Sequence, residues 1–284
     1  MGDSITLVTM YIMEKNALQN KYNNLIQYLQ NLHSVCVAFS AGVDSTFLLF
    51  AAKEALGDKM LAVTADTALI PEREASEATE FCKKLGIKHV ILKPDVFKIE
   101  GFSENPANRC YICKKALFSE FMKLAEKEGM AEVIEGSNLD DDSDYRPGHQ
   151  AIKELGILSP LRECGFTKQD IRELSKEFDL PTWEKPSFAC LASRIPYGDE
   201  ITSEKLGMVE QAEDFLIECG FKQFRVRIHG RLARIEIRPE DFEMIIDEAV
   251  RKKIYSRFKK IGFDYTALDL LGYRSGSLNE TLKG

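Results

Sequence analysis

The sequence is first narrowed by what it lacks. None of its apolar stretches approaches the roughly 20 residues needed to cross a bilayer; those such as Phe47 to Ala52 are far shorter. Asp3 and Glu14 stand among the scattered apolar residues of the N-terminal region, where a secretory leader would have a basic start and a compact apolar core. A cytoplasmic location is therefore expected. Basic residues are in deficit: 38 Lys and Arg against 45 Asp and Glu give a net charge of −7 over 284 residues. A general nucleic-acid surface is thus not the default, although a local basic patch stays open. There is no internal repeat or low-complexity tract, and 44% hydrophobic with 29% charged residues is a globular composition. The seven cysteines are odd in number and sit in a long chain, which disfavours a disulfide framework. Metal or catalytic use of a subset fits better.

Hydrophobic periodicity predicts an amphipathic helix over 11–32, then strands and helices in alternation. Strands are expected at 34–39, 60–64, 88–92 and 131–135, with helices at 44–56, 72–85 and 111–128. This order predicts an α/β fold, a parallel twisted sheet with helices on both faces, whose ligands sit at the carboxyl ends of the strands. A polar loop, 136–148, and a helix over 167–178 with Thr167 as its N-cap follow. Pro181, Pro186 and Pro196 mark a junction, so domains are expected at 1–185 and 186–284. Beyond it come a helix at 203–218, strands at 224–229 and 233–238 turned through Gly230-Arg231, a helix opened by Pro239 and a strand at 265–270. That pattern is a small α+β domain.

Between the first strand and the next helix lies Ser40-Ala41-Gly42-Val43-Asp44-Ser45-Thr46. Bare backbone N–H groups at a helix start attract anions, and the three hydroxyls add donors. No lysine follows the glycine, which excludes a Walker A loop. A serine-rich helix cap is the plainer alternative. The segment resembles the PP-loop of the ATP pyrophosphatases, usually Ser-Gly-Gly-x-Asp-Ser, with Ala41 in place of the first glycine. The resemblance implies an adenine nucleotide alpha-hydrolase-like domain that cleaves ATP to AMP and pyrophosphate. It implies that Ser40, Gly42, Asp44, Ser45 and Thr46 hold the pyrophosphate, that Asp44 stands near Mg²⁺, and that Thr64 and Ala65 meet the adenine.

The second signal is the Cys110-x-x-Cys113 pair, flanked by Arg109 and Lys114, together with Cys190 in a proline-bounded loop near Arg194. Four readings compete. Zinc would need a fourth ligand such as His149 or Cys164; a redox dithiol, a sulfur-carrying thiolate and a three-cysteine [4Fe–4S] cluster are the others. Cys36, Cys82, Cys164 and Cys219 fit core positions.

Further stretches narrow the family: Glu135 to Asp141, Asp144 to Gly148, Ser159-Pro160-Leu161, Cys190 to Arg194 and Gly272 to Asn279. Together they resemble the LarE-type sulfur transferases of nickel-pincer nucleotide cofactor biosynthesis, which serve lactate racemase. The resemblance implies that ATP adenylates a carboxylate of pyridinium-3,5-biscarboxylic acid mononucleotide and that sulfur then displaces AMP to leave a thiocarboxylate. Some members consume a single cysteine matching Cys190. Others hold a [4Fe–4S] cluster on three cysteines resembling Cys110, Cys113 and Cys190, and the full trio here implies the cluster form with sulfide relayed by it. Trimers or hexamers are also implied.

Arg225, Arg227 and His229 alternate on one strand and so share a face. Two guanidinium groups there make a phosphate clamp or a solvated ion-pair face. The resemblance implies that Arg225 and Arg227 hold the mononucleotide phosphate with Glu236 orienting them, and places Ser193 and Arg194 on the substrate side. Arg274, between Gly272 and Gly276, suits a ligand or a neighbouring subunit as well as a plain surface loop. Asp140, Asp141, Asp142 and Asp144 are Mg²⁺ candidates or a solvated run. Trp183 and Lys185 are expected near the site. Two other functions remain in play: a tRNA-thiolating PP-loop enzyme, disfavoured by the acidic balance, and a non-catalytic iron–sulfur or sulfide carrier regulated by ATP.

Overall fold

A computed structural model describes residues 2–143, 147–186 and 189–282. The chain divides into two compact units. The first comprises 1–66, 72–94 and 114–187; the second comprises 67–71, 95–113 and 188–284.

In the first unit the strands are β1 (Val35–Ala38), β2 (Met60–Ala65), β3 (His89–Leu92) and β4 (Glu132–Ile134). They pair in parallel in the order β3-β2-β1-β4. The helices are α1 (Gly2–Asn31), α2 (Val43–Leu56), α3 (Glu72–Lys84), α4 (Arg109–Lys127, whose first turns belong to the second unit), α5 (Gly148–Glu154), α6 (Pro160–Glu163) and α7 (Lys168–Glu177). The side-chain period of two divides each central strand between two cores. Val35, Val37, Met60 and Ala62 pack with Leu25 and Leu29 of α1, Phe47 and Leu48 of α2, Phe81 of α3 and Leu174 of α7. Cys36, Leu61 and Val63 point the other way, onto Phe118, Phe121 and Leu124 of α4 and Ile152 of α5. Helices thus cover both faces, as the continuous apolar strands require. Each fully buried Leu or Phe contributes roughly 1.5–3 kcal/mol.

Three elements differ from expectation. α1 begins at Gly2, ahead of the amphipathic pattern, because nothing between there and Tyr11 breaks a helix. The segment expected as loop 136–148 holds a 3₁₀ turn, Leu139–Ser143, and runs into α5; Asp144 and the rest of 144–146 lie outside the described residues, as do Ser187 and Phe188. The helix opened by Pro239 breaks at Asp247, which is extended and caps the next helix through Ala249 and Val250 N–H.

The second unit contains α8 (Ser203–Glu218), β5 (Phe224–His229), β6 (Leu232–Ile237), α9 (Phe242–Ile246), α10 (Glu248–Ile261) and β7 (Tyr265–Leu268). β5 and β6 form an antiparallel hairpin, and β7 adds parallel to β6. Gly230, at φ 59, allows the two-residue turn. Val226, Ile228, Ala233 and Ile235 pack on Val209 and Leu216 of α8 and on Ile254 and Phe258 of α10. Among the described residues, no helix is long and apolar enough to cross a membrane.

Candidate active site

In the first unit β1 has β2 on one side and β4 on the other, so the sheet's winding reverses beside β1. The loops leaving β1 and β4 therefore meet at its carboxyl end, the usual ligand crevice of such sheets. The β1 loop is the PP-loop segment. Gly42 is the N-cap of α2 and no side chain caps the first turn. Ser45 Oγ donates to Gly42 O at 3.2 Å, receives Ser40 N–H at 3.3 Å and lies 3.1 Å from Ser40 Oγ. Thr46 Oγ1 is buried without a hydrogen-bond partner. A bare helix start with a buried unspent hydroxyl is suited to a multivalent anion.

Gly42 has extended backbone, φ −79, and an added Cβ would meet only ordinary contacts. The strained position is Ala41, at φ 53 and buried. Left-handed backbone costs an alanine about 1–2 kcal/mol. Replacing it by glycine relieves that, loses about 0.8 kcal/mol of methyl burial and adds about 0.5–1 kcal/mol of unfolded-chain entropy. These terms nearly cancel. Ala41→Gly should therefore leave stability within about 1 kcal/mol, whereas Ala41→Val, β-branched and ill-suited to this backbone, should lower it by more than that. Urea midpoints of the two variants check this; a well-tolerated valine would refute the strain.

Asp44 lies on the first turn of α2. Its carboxylate accepts from Asn138 Nδ2 at 3.3 Å and from Lys168 Nζ. Burial pushes the Asp44 carboxyl up, and Lys168 offsets part of that. The β4 loop is built around Glu135, buried, which accepts from Ser159 Oγ at 2.6 Å and from Ser137 N and Oγ at 3.1 and 2.9 Å. Gly136 comes so close to α2 that a Cβ would stand 3.1 Å from Ser45 N. The acidic run is partly engaged: Asp141 accepts from Asn138 N at 3.0 Å and Asp140 from Lys168 N at 2.8 Å. Thr64 Oγ1 donates to Phe39 O at 2.8 Å and lies 2.8 Å from His89 Nε2; Ala65 is buried at the end of β2. Lys185 Nζ donates to Ala41 O at 3.0 Å and pairs with Glu77, so it does meet the PP-loop. Trp183 contributes its backbone carbonyl to Arg172, and Lys176 lies over its ring.

All three candidate cysteines belong to the second unit. Cys110 and Cys113 are half-buried on the first turns of α4, and Cys190 is exposed. Arg109 does not lie open beside the thiols. It is buried, donates to Asn105 Oδ1 and Ile195 O, and stacks on Tyr197. Asn105 Nδ2 in turn donates to the carbonyls of Ile195, Pro196 and Asp199. The start of α4 is thus fastened to the chain following Cys190. The thiols suit iron–sulfur or zinc chemistry by type, but among the described residues no three His, Cys, Asp or Glu side chains are gathered to hold one metal.

Arg194 is buried rather than open to a ligand. Its guanidinium binds Glu213 through two bonds, 2.9 and 2.8 Å, and the carbonyls of Ala189 and Cys190 at 2.6 and 3.1 Å. Glu213 also accepts Val226 N–H at 3.0 Å. Arg194 therefore braces the Cys190 loop against β5. Ser193 is held by the same set, its Oγ by Arg194 and its carbonyl by Arg227. Arg225 and Arg227 share a face of β5, as the alternation predicts, but both are buried. Arg227 pairs with Glu236 at 3.1 and 3.0 Å and reaches Ser277 Oγ at 2.9 Å. Arg225 lies 5.1 Å from the Tyr273 ring centroid; burial, and then the Arg194 charge, pull its pKa down to about 10. Glu236 is shared, since Arg234 also pairs with it at 3.2 Å. Arg274 is engaged by Glu280 at 3.1 and 3.2 Å and by Asp269 at 3.4 Å.

No family model matches the chain. It is 41% identical to an uncharacterized protein of Synechocystis sp. over 93% of this chain and 99% of that one. It is also 36% identical to the pyridinium-3,5-bisthiocarboxylic acid mononucleotide synthase of Lactiplantibacillus plantarum, over 93% and 96% of the two chains. The chain belongs to the LarE-type PP-loop family. One subunit of the glutamine-hydrolyzing GMP synthase of Archaeoglobus fulgidus is 25% identical over 64% of this chain and 63% of that one, in keeping with the wider PP-loop relationship. The LarE-type chain is an enzyme, an ATP-dependent sulfurtransferase.

Three contacts of this LarE-type chain escaped the sequence reading: Lys168 with Asp44, Gly136 with α2 and Glu213 with Arg194. Lys168 carried a signal, since a cation in the first turn of a capped helix opposes the helix dipole and needs another reason to be there. Gly136 carried one only as a glycine after a strand. Glu213 reads as an exposed helix residue, and nothing in the sequence marks it as buried.

Proposed function

We propose that this chain inserts sulfur into a pyridinium dicarboxylate mononucleotide, the step that makes a pyridinium bisthiocarboxylate for nickel-pincer cofactor synthesis. The supporting relative is the named synthase, matched over nearly its whole length. The observation that carries the chemistry is the bare α2 start with the buried hydroxyl of Thr46 and the Asp44–Lys168 pair beside it.

A substrate carboxylate oxygen attacks the α-phosphorus of ATP, the bond to pyrophosphate breaks, and an acyl-adenylate results. Ser40, Ser45, Thr46 and the α2 N–H groups bind the departing pyrophosphate. Asp44 would hold Mg²⁺, with Lys168 released toward phosphate charge, and Thr64 and Ala65 border the adenine. Hydrosulfide then attacks the acyl carbon, the carbon–oxygen bond to AMP breaks, and a thiocarboxylate forms with no net oxidation. Cys190, exposed on its braced loop, can take the place of hydrosulfide: its thiolate attacks the acyl carbon, AMP leaves, and β-elimination from the resulting thioester, with loss of the Cys190 α-proton, frees the thiocarboxylate and leaves dehydroalanine. Arg225 and Arg227 hold the mononucleotide phosphate, with Glu236 fixing Arg227, and Arg274 lies at the rim.

A [4Fe–4S] form of this reaction needs Cys110 and Cys113 to close on Cys190 when iron is present. Iron, zinc and acid-labile sulfide per chain, measured on protein prepared without oxygen, test it. About four irons, lost in Cys110→Ala, support the cluster; zinc alone or no metal rejects it. The function is tested by incubating the chain with the mononucleotide, ATP, Mg²⁺ and sulfide. AMP, pyrophosphate and thiocarboxylate in matched amounts support it. Thiolated tRNA instead, or no ATP cleavage, overturns it.

A further inference from the structure

On the second unit, β7 is the outer strand of its sheet; no strand pairs its far edge among the described residues. Tyr265 and Asp269 direct their N–H groups to Arg231 and Ile235 on the β6 side. By the alternation of a parallel ladder, Thr266 and Leu268 therefore direct theirs outward. Beside this edge runs a groove of about 640 Å³ with an apolar floor that includes Ile235, Ile245, Ile254 and Leu268, walled by Arg251 and Lys252. Exposed apolar groups continue it: Ile246, Tyr255 and Tyr265, with Leu270 and Leu271 directly after β7. Single exposed hydrophobics are ordinary, but a cluster of them beside an open strand edge is a docking surface.

Charge selects the occupant. α10 carries six cations, Arg251, Lys252, Lys253, Arg257, Lys259 and Lys260, all exposed, against one carboxylate, in a chain of net charge −7. A second copy paired edge to edge across a two-fold axis would set two such helices against each other. A nucleic acid would satisfy the cations but not the apolar floor or the strand edge. We propose that this edge binds an extended, acidic segment of a partner polypeptide. That segment adds to the sheet as a further strand beside β7. Its alternate apolar side chains enter the groove and its carboxylates face α10.

The test uses the full chain and fluorescence anisotropy with labelled octapeptides of alternating valine and glutamate, or valine and lysine. The glutamate peptide should bind, weaken with rising salt and bind at least about tenfold better than the lysine peptide. Thr266→Pro removes an outward N–H but no bond to β6, and should weaken binding about tenfold. Because proline can also disturb the fold, Arg251→Glu with Lys252→Glu is the independent variant and should weaken it by at least as much. Equal binding of both peptides, or an unaffected charge variant, overturns the proposal. So does a single-stranded oligonucleotide that outcompetes the peptide, or dimerisation by light scattering that is lost in these variants.

Discussion

Cys190→Ala is expected to reduce thiocarboxylate formation to background, a loss of at least about a thousandfold, while pyrophosphate release stays within about threefold of the parent. The two halves of the reaction draw on different groups. In the proposed mechanism adenylation draws on the PP-loop with Asp44 and Lys168, whereas Cys190 belongs to the second unit. Sulfur delivery needs an exposed thiol, and Cys190 is the exposed one among the seven cysteines. Assaying pyrophosphate and thiocarboxylate in the same reaction separates the steps. Undiminished thiocarboxylate would remove Cys190 from delivery. Loss of both products would mean that the loop serves adenylation as well. If the parent chain's mass falls by one sulfur per product, Cys190 spends its own sulfur; an unchanged mass means that sulfide comes from outside.

The second large effect is on stability. Glu213→Ala should cost about 3–5 kcal/mol, because Arg194 would then be a buried cation without its carboxylate. Both side chains are 1% exposed, so water cannot replace the lost partner, and the Cys190 loop would loosen with the brace. Urea unfolding measures the cost, and faster alkylation of Cys190 should accompany it. A loss below about 1 kcal/mol would show that the pair is replaceable. The pH dependence follows in sign. Burial alone would raise the Glu213 carboxyl, but the Arg194 guanidinium outweighs it and holds the group below its ordinary value of 4.5. The folded pKa is thus the lower one. The contribution is present in full above the unfolded value near 4.5 and is lost as pH falls through the lower folded value. Parent and Glu213→Ala stabilities should therefore converge as pH drops below about 4.5.

Arg194 shows how position along the chain and role in the fold can part. An arginine four residues after an exposed cysteine looks like a ligand group. It is spent instead on Glu213, 19 residues away on α8, and on the carbonyls of its own loop. The β5 arginines teach the same lesson: alternation set them on one face, but their depth came from the segments carrying Ser193 and Ser277 that cover that face.

The sequence by itself determined the order of strands and helices, the parallel sheet, the hairpin at Gly230 and the loop between β1 and α2. Those features rest on local periodicity, turn chemistry and short-range capping. It also carried the family, through motifs spread along the chain. Only the tertiary structure decided which charges are paired and buried, that Gly136 presses on α2, that Lys168 holds Asp44, and that segments 67–71 and 95–113 join the C-terminal unit. Each of these depends on contacts between residues far apart in sequence, where burial and the choice of partner set the energy and local propensity does not.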